Sequence, residues 1–211
     1  DDMKSSLGVY TDRVHVIPNG VDLDVFKPLD KSQCRKKMGW DESKRIVLFA
    51  ANPARPEKNY LLAEQSIASL NRDDVELQVV HGIKHNDMPT YMNAADVLLL
   101  TSLWEGSPNV VKESMACNLR IVTTDVGDVA WLLEGTEGCA VTTHDPVKIA
   151  HQLDLALQYA GTSKCRERLI TLGLDSRSVA QKILRVYEEV LKKSSPNEYG
   201  FKLLFSIAYH I

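Results

Sequence analysis

The sequence lacks several features that would assign its chemistry directly. Its 211 residues include only four cysteines, and no two of them form a C-x-x-C pair, which argues against a zinc ribbon or a dithiol redox motif. No apolar run approaches the roughly 18 residues of a membrane-spanning helix. Neither a G-x-G-x-x-G turn nor a G-x-x-x-x-G-K-[ST] loop is present, which argues against dinucleotide dehydrogenases and P-loop NTPases.

Charge of neither sign predominates. The 25 Lys and Arg residues oppose 28 Asp and Glu residues, for a net charge of −3, so we expect no nucleic-acid partner, since a duplex binder needs many phosphate-neutralising cations. Widely spaced cysteines predict reduced thiols in a cytoplasmic protein. His81 and His85 make a poor zinc pair because Gly82 lies between them and Pro89 follows soon after.

Apolar runs alternate with helical periodicity along the chain. The runs predict strands at residues 13–18, 46–51, 75–80, 96–100, 120–124 and 139–142. Helices are predicted at residues 59–70, 88–95, 107–117, 129–133, 146–159, 165–172 and 178–192, the last capped by Asp175 or Ser176. This order predicts an α/β fold, a Rossmann-like parallel sheet with helices on both faces. Such sheets bind ligands at the carboxyl ends of their strands, which directs attention to the loops 52–59, 81–89, 101–109 and 125–129.

The first of these loops carries two cations, Arg55 and Lys58, just before a predicted helix. A guanidinium offers a planar fork of donors and an ammonium offers a point charge, so together they could clamp a diphosphate. A solvated loop with ordinary surface charges explains the same residues, and the loop alone does not decide between the two interpretations.

The segment 102–113 is more informative because it directly follows a predicted buried strand. Gly106 allows the backbone to approach a ligand closely, and we expect Ser107 as the N-cap and Pro108 as the first helical residue. The helix start then offers amides and a partial positive charge to an anion. Glu105 and Glu113 add carboxylates that accept hydrogen bonds from sugar or ribose hydroxyls.

With these residues in place, the sequence resembles the C-terminal half of a family 4 glycosyltransferase of the GT-B fold, over roughly residues 14–192. The matching stretches are 16–22 (VIPNGVD), 55–58 (RPEK), 94–97 (AADV), 105–117 (EGSPNVVKESMAC) and 179–191, which includes Tyr187-Glu188. Glu105 and Glu113 form the family's E-x7-E signature. The chain departs from the family at Asn52-Pro53, where Gly-Arg is usual, and at Gly127-Asp128, where Gly-Gly is usual.

The resemblance implies a nucleotide-sugar donor and hexose transfer with retention of anomeric configuration, without a cofactor or a required metal. Its implied substrate-binding residues are Glu113 for the ribose hydroxyls; Glu105, Gly106, Ser107, Pro108 and Asn109 for the donor hexose; Arg55, Lys58 and the Val110 amide for the diphosphate; and the loop at His81 and Gly82 near the base.

The resemblance also implies that the chain is one half of a two-domain enzyme. Residues 1–193 would form the nucleotide-sugar-binding domain, and the apolar tail 194–211 would cross back onto an N-terminal domain, unless it packs on itself. That other domain would supply the catalytic residues and bind a glycan, lipid or small-molecule acceptor. Peripheral association of the whole protein with a membrane is left open. We therefore expect this chain to bind donor without completing the reaction.

Two other functions remain open at this level. A sugar-nucleotide epimerase or hydrolase of the same architecture would need acid–base residues in this half, and His81 or His85 would be the candidates. A non-enzymatic nucleotide-binding module would need none. For a metal, Asp125 and Asp128 are the only acidic candidates in the strand-end loops.

Overall fold

A computed structural model describes residues 15–193 of the chain. The strands are β1 (Arg45–Phe49), β2 (Val75–Val79), β3 (Val97–Leu100), β4 (Arg120–Thr124) and β5 (Ala140–Thr142). The helices are α1 (Lys31–Met38), α2 (Tyr60–Leu70), α3 (Met88–Ala94), α4 (Asn109–Ala116), α5 (Val129–Leu133), α6 (Pro146–Gln158), α7 (Cys165–Thr171) and α8 (Ser176–Lys193). Short 3₁₀ turns lie at Pro56–Lys58 and His85–Asp87. The predicted tail at 194–211 lies outside the described residues.

The strands form one parallel sheet in the order β2-β1-β3-β4-β5. In register, Leu48 of β1 pairs with Leu98 of β3, which pairs in turn with Ile121 of β4. The predicted α/β fold is confirmed. Because the chain order reverses between β1 and β3, the chain leaves these two strands toward helices on opposite faces, and this switch point at the carboxyl edge is where open α/β sheets bind ligands.

Two hydrophobic layers cover the sheet. Val47 and Phe49 of β1 face the layer that includes residues of α2 and α6, whereas Ile46 and Leu48 face the layer built by α3, α4, α5 and α7. All four side chains are buried. Strands buried on both faces explain why the sequence shows continuous apolar runs rather than alternation.

The structure corrects the first predicted strand, residues 13–18. Residues 15–20 form no strand, and Val21 instead makes an isolated parallel bridge beside the start of α8. Val21 N donates to Leu174 O at 2.9 Å, and Ser176 N donates to Val21 O at 2.9 Å. A Cβ on Gly20 would lie 2.8 Å from the Cα of Ser176, so this segment packs against α8 rather than extending the sheet.

Most other element boundaries lie within two residues of the predictions. Asp175 caps α8 as predicted, accepting a hydrogen bond from Ser178 N at 2.9 Å. Helix α1 was missed because its sequence, KSQCRKKM, has almost no apolar face. It begins at Asp30, whose side chain accepts from Gln33 N, and it ends at Gly39, which takes the left-handed conformation with φ 70°. Such an end favours glycine.

Candidate functional site

The loops that follow β1 and β3 are fastened to each other at the switch point of the sheet. The buried hydroxyl of Thr101 lies within hydrogen-bond distance of Lys58 O at 2.9 Å and Asn59 O at 3.0 Å. Leu103 N donates to Glu57 O at 2.8 Å. The two loops therefore hold their side chains in a fixed relative position.

Lys58 and Glu105, both predicted site residues, meet across this junction. Lys58 Nζ lies 2.5 Å from Glu105 Oε1, and the two side chains are only 16% and 15% exposed. Ser102 Oγ donates to the same carboxylate oxygen at 2.8 Å. Within residues 15–193 the other oxygen, Glu105 Oε2, has no hydrogen-bond partner. The site thus presents a pre-oriented cation beside a carboxylate with spare accepting capacity.

Arg55, the other predicted cation of this loop, is not brought to that pair. Its side chain is 60% exposed and forms an ion pair with Glu57, with Nε donating to Glu57 Oε1 at 2.6 Å. In the described part of the chain, no hydrogen bond or ion pair connects Arg55 with Lys58 or Glu105.

Glu113 of α4 pairs with a residue that the site prediction did not include. His85 Nε2 lies 2.9 Å from Glu113 Oε1, and the Glu113 side chain is 14% exposed. The His85 ring also packs on Phe26, with ring centroids 5.0 Å apart. His81 and Gly82, the predicted residues of this loop, are exposed and make no hydrogen bond in the described structure. The structure therefore joins His85, rather than His81, to the glutamate.

The start of α4 differs by one residue from the prediction. Pro108 is the N-cap, without a side-chain capping bond, and Asn109 is the first helical residue. Ser107 does not cap the helix because its hydroxyl oxygen accepts from Lys112 Nζ at 3.0 Å. The first amides of a helix have no intrahelical acceptor. Val110, Lys58 and Ser102 border one narrow gap at this point, which is too small to admit a water molecule.

The loop before α4 meets the loop after β4 at two glycines, Gly106 and Gly127. A Cβ on Gly106 would meet nothing within 4 Å, so packing does not require glycine there. A Cβ on Gly127, by contrast, would lie 2.2 Å from Gly106 O, and its φ of +58° also favours glycine. The loop after β4 is therefore pressed against the backbone at 105–106.

Lys112 is a buried lysine that the site prediction missed. It is 0% exposed, and its Nζ donates to Asn19 O and to Ser107 Oγ, each at 3.0 Å. Burial lowers the pKa of Lys112, while the negative charges of Asp128 and Glu113 partly oppose that shift. The signal in the sequence is a lysine three residues before Met115, on a helix face that is otherwise apolar.

The acidic metal candidates lie in the loop after β4. Asp125 is exposed, and Asp128 is half-buried with its Oδ1 buried and without a hydrogen-bond partner in the described structure. Within residues 15–193 no three His, Cys, Asp or Glu residues are grouped so that they could hold a metal ion.

A larger hollow, of about 350 Å³, lies at the other edge of the sheet near Asn118, which precedes β4. Arg166 lines it, and its guanidinium already donates to the carbonyls of Leu23, Phe26 and Ala116. A cation whose donors are already used in this way serves the fold rather than a ligand.

Comparison with known proteins identifies a family. Residues 44–158 match the family model described as glycosyl transferases group 1. Among curated proteins, D-inositol 3-phosphate glycosyltransferase 1 of Catenulispora acidiphila is 23% identical over 186 residues, which cover 71% of this chain and 44% of that protein. The chain spans about half the length of the curated relatives it matches.

Solved structures share the fold. The Anabaena protein HepE in complex with UDP superimposes with a TM-score of 0.75 at 17% identity, covering 88% of this chain and 60% of that one. The C-terminal domain of the group 1 glycosyl transferase LpcC from Francisella tularensis gives a TM-score of 0.57 at 18% identity, covering 78% of this chain and 98% of that domain. In the part of the chain that the structure describes, no helix is long and apolar enough to cross a membrane.

Proposed function

Because the chain belongs to the group 1 glycosyl transferases, we propose that it is the C-terminal, donor-binding domain of a retaining family 4 enzyme that transfers a hexose from a nucleotide-diphosphate sugar. The observation that carries this proposal is the Lys58–Glu105 pair beside the start of α4, at the switch point of the sheet. UDP in the complex of a structural neighbour, and the near-complete cover of a C-terminal domain, support it.

The diphosphate is assigned to Lys58 and the first amides of α4. Lys58 and Val110 border the same narrow gap, so the ammonium lies close to the start of α4. Both groups favour an anion. Arg55 is exposed and paired with Glu57, so we assign it no direct contact with the diphosphate.

The two carboxylates are assigned to the hydroxyls of the donor. Within residues 15–193, Glu105 uses only Oε1 for Lys58 and Ser102, and Glu113 uses only Oε1 for His85. Each therefore keeps an oxygen that can accept from a hydroxyl. Glu105, with the exposed backbone at Gly106, would face the hexose, and Glu113 would face the ribose. His85, in the loop after β2, would border the ribose because it pairs with Glu113.

We assign to this domain the stabilisation of the leaving group, the nucleoside diphosphate. As the bond between the sugar and the diphosphate breaks, negative charge grows on the phosphate oxygens and positive charge on the sugar. Fixed cations and helix-start amides aimed at the phosphate lower the barrier without a metal ion. Acceptor activation is assigned to a domain outside this chain, and the four free thiols suit a cytoplasmic enzyme.

One observation favours the alternative of an epimerase or hydrolase. The His85–Glu113 pair is a histidine oriented by a carboxylate, an arrangement that acid–base chemistry uses. A hydrolase would release free hexose from the donor without any acceptor, so a coupled assay for free hexose separates it from the transferase.

The direct test is calorimetric titration of this chain with UDP, GDP and ADP, their hexose conjugates and the parent nucleosides. We expect one nucleoside diphosphate and its hexose conjugate to bind at least about tenfold more tightly than the nucleoside, because the phosphates meet Lys58 and α4. Glu189→Gln, which changes an exposed carboxylate on α8, is the matched control and should bind as the parent chain does. Failure of all three diphosphates to bind would overturn the proposal.

A further inference from the structure

Lys112 is the one fully buried lysine in the described structure, and it contacts Ser107 in the loop before α4. Removing a lysine from water is costly unless its charge is compensated and its donors are used. Two of its three N–H groups reach Asn19 O and Ser107 Oγ. A residue retained at that cost, on an otherwise apolar helix face, calls for a role beyond filling space.

The ammonium joins two segments that would otherwise be independent. Asn19 belongs to the segment held beside α8 by the bridge at Val21, whereas Ser107 belongs to the loop that leads into α4. A third segment acts through charge, because the carboxylate of Asp128 in the loop after β4 interacts favourably with Lys112. That loop is also pressed against Gly106 O at Gly127.

Ser107 is the link between this ammonium and the donor. Its oxygen accepts from Lys112, so its own hydroxyl hydrogen remains available, and no acceptor for it lies within residues 15–193. It also immediately precedes the N-cap Pro108, so any rotation at Ser107 would reorient the amides that begin α4.

We propose that Lys112 is a positioning residue for the donor diphosphate, which acts by fixing Ser107 and with it the start of α4. This inference rests on the proposed function, since it assumes that a nucleoside diphosphate binds there. Lys112 does not touch the donor in this account; it holds the loop in its receptive conformation and adds positive potential beneath it.

The test compares diphosphate with nucleoside binding in variants whose folding is checked by thermal unfolding. Lys112→Met keeps the side-chain length and removes the charge. Because it leaves the Asp128 carboxylate uncompensated, Lys112→Met/Asp128→Asn is made as well, with Asp128→Asn as its reference. Lys37→Met, which removes an exposed lysine of α1, controls for net charge. Ser107→Ala removes the link alone.

With UDP, GDP and ADP as probes, we expect Lys112→Met and the double variant to lose about tenfold in affinity for the diphosphate that the parent chain binds best, and less than about twofold for its nucleoside. Ser107→Ala should show the same selective loss. Combining Ser107→Ala with Lys112→Met should weaken diphosphate binding little more than either change alone, because both remove the same contact between Lys112 and Ser107.

The outcomes separate this inference from the proposed function. If the parent chain binds none of the three diphosphates, the proposed function fails first. If it binds one, and the folded Lys112→Met/Asp128→Asn variant binds that diphosphate as Asp128→Asn does, the positioning role is overturned. Equal losses for nucleoside and diphosphate would also overturn it, because they would show that Lys112 only maintains the fold.

Discussion

The two edges of the sheet both carry buried charge, but they use it differently. At the amino edge, Asp96 is 2% exposed and accepts from Lys31, from Arg35 Nη2 at 2.6 Å and from Ile46 N at 2.6 Å, with Arg45 Nη1 3.7 Å away. Arg35 in turn donates to four backbone carbonyls. At the carboxyl edge, Glu105 and Glu113 each use one oxygen, and Asp128 Oδ1 has no partner in the described structure.

The difference distinguishes charge that the fold uses fully from charge with unused hydrogen-bonding capacity, which the proposed function assigns to a ligand. The Asp96 cluster joins α1 to β1 and β3, and all three guanidinium nitrogens of Arg35 donate to groups of the protein there. Burial raises the pKa of Asp96, but hydrogen bonds from Lys31 and Ile46 and the charges of Lys31 and Arg35 outweigh it, so the pKa lies below its ordinary value. The carboxylates at the carboxyl edge keep capacity that a sugar hydroxyl can use.

The largest expected effect is a loss of stability when Asp96, at the amino edge, is changed. Asp96→Asn leaves the buried guanidinium of Arg35 without its carboxylate, and removing one partner of a buried ion pair costs about 3–5 kcal/mol. We expect that loss in the free energy of unfolding, measured by urea denaturation. Asp73→Asn, at an exposed position, should change it by less than about 0.5 kcal/mol. A loss below about 1 kcal/mol for Asp96→Asn would show that the cluster is not what holds α1.

Acid should remove the same contribution. Because the folded pKa of Asp96 is lowered, its stabilisation is fully present above the unfolded value of about 3.9 and is lost as pH falls through the lower folded value. The difference in unfolding free energy between the parent chain and Asp96→Asn should therefore be constant near neutral pH. It should shrink only below about pH 4. A difference that already shrinks between about pH 7 and 5 would contradict the lowered pKa.

The next effect concerns binding, at the carboxyl edge. Glu113→Ala should weaken binding of the nucleoside diphosphate by about 1.5–3 kcal/mol, the scale of a hydrogen bond to a charged group. Its unfolding temperature should change little, because His85, its side-chain partner within residues 15–193, is 67% exposed. Glu189→Ala is the control for charge. A variant with a lowered unfolding temperature but normal affinity for the diphosphate would show that Glu113, like Asp96, stabilises the fold rather than contacting the ligand.

The same contrast explains what could be predicted from the sequence. Runs such as those of β1 and β3 carry their own physical signal, and their order sufficed to predict the sheet and the loops at its carboxyl edge. Helix α1 carries no such signal, because its docking depends on Arg35 meeting Asp96, 61 residues away. Likewise, the spacing of residues could not show that His85 rather than His81 meets Glu113, since turn geometry after β2 decides it.

A smaller effect should distinguish the two cations of the loop after β1, Lys58 and Arg55. Lys58→Ala should weaken binding of the nucleoside diphosphate by about 1–2 kcal/mol, at the lower end for a charged hydrogen bond, because Glu105 already neutralises part of the Lys58 charge. The nucleoside should be affected less, and the difference should decrease with added salt. Arg55→Ala, which removes an exposed cation paired with Glu57, should cost less than about 0.5 kcal/mol. Equal losses for the two variants would show that Arg55 leaves Glu57 to contact the diphosphate.

The smallest expected effect is that of a divalent metal, which we predict to be none. A Mg²⁺ site for a diphosphate uses one or two carboxylates that share the ion with phosphate oxygens. Asp125 is exposed, and the charge of Asp128 partly opposes the lowering of the Lys112 pKa by burial, so that carboxylate already faces a cation. Diphosphate affinity, measured by calorimetry with EDTA and then with millimolar Mg²⁺, should agree within about threefold, since Lys58 and α4 supply the positive charge. An increase of about tenfold with Mg²⁺ that Asp125→Asn or Asp128→Asn abolishes would instead assign the unpartnered oxygen of Asp128 to a metal. The unused carboxylate oxygens at the carboxyl edge would then serve to bind a metal ion rather than only sugar hydroxyls.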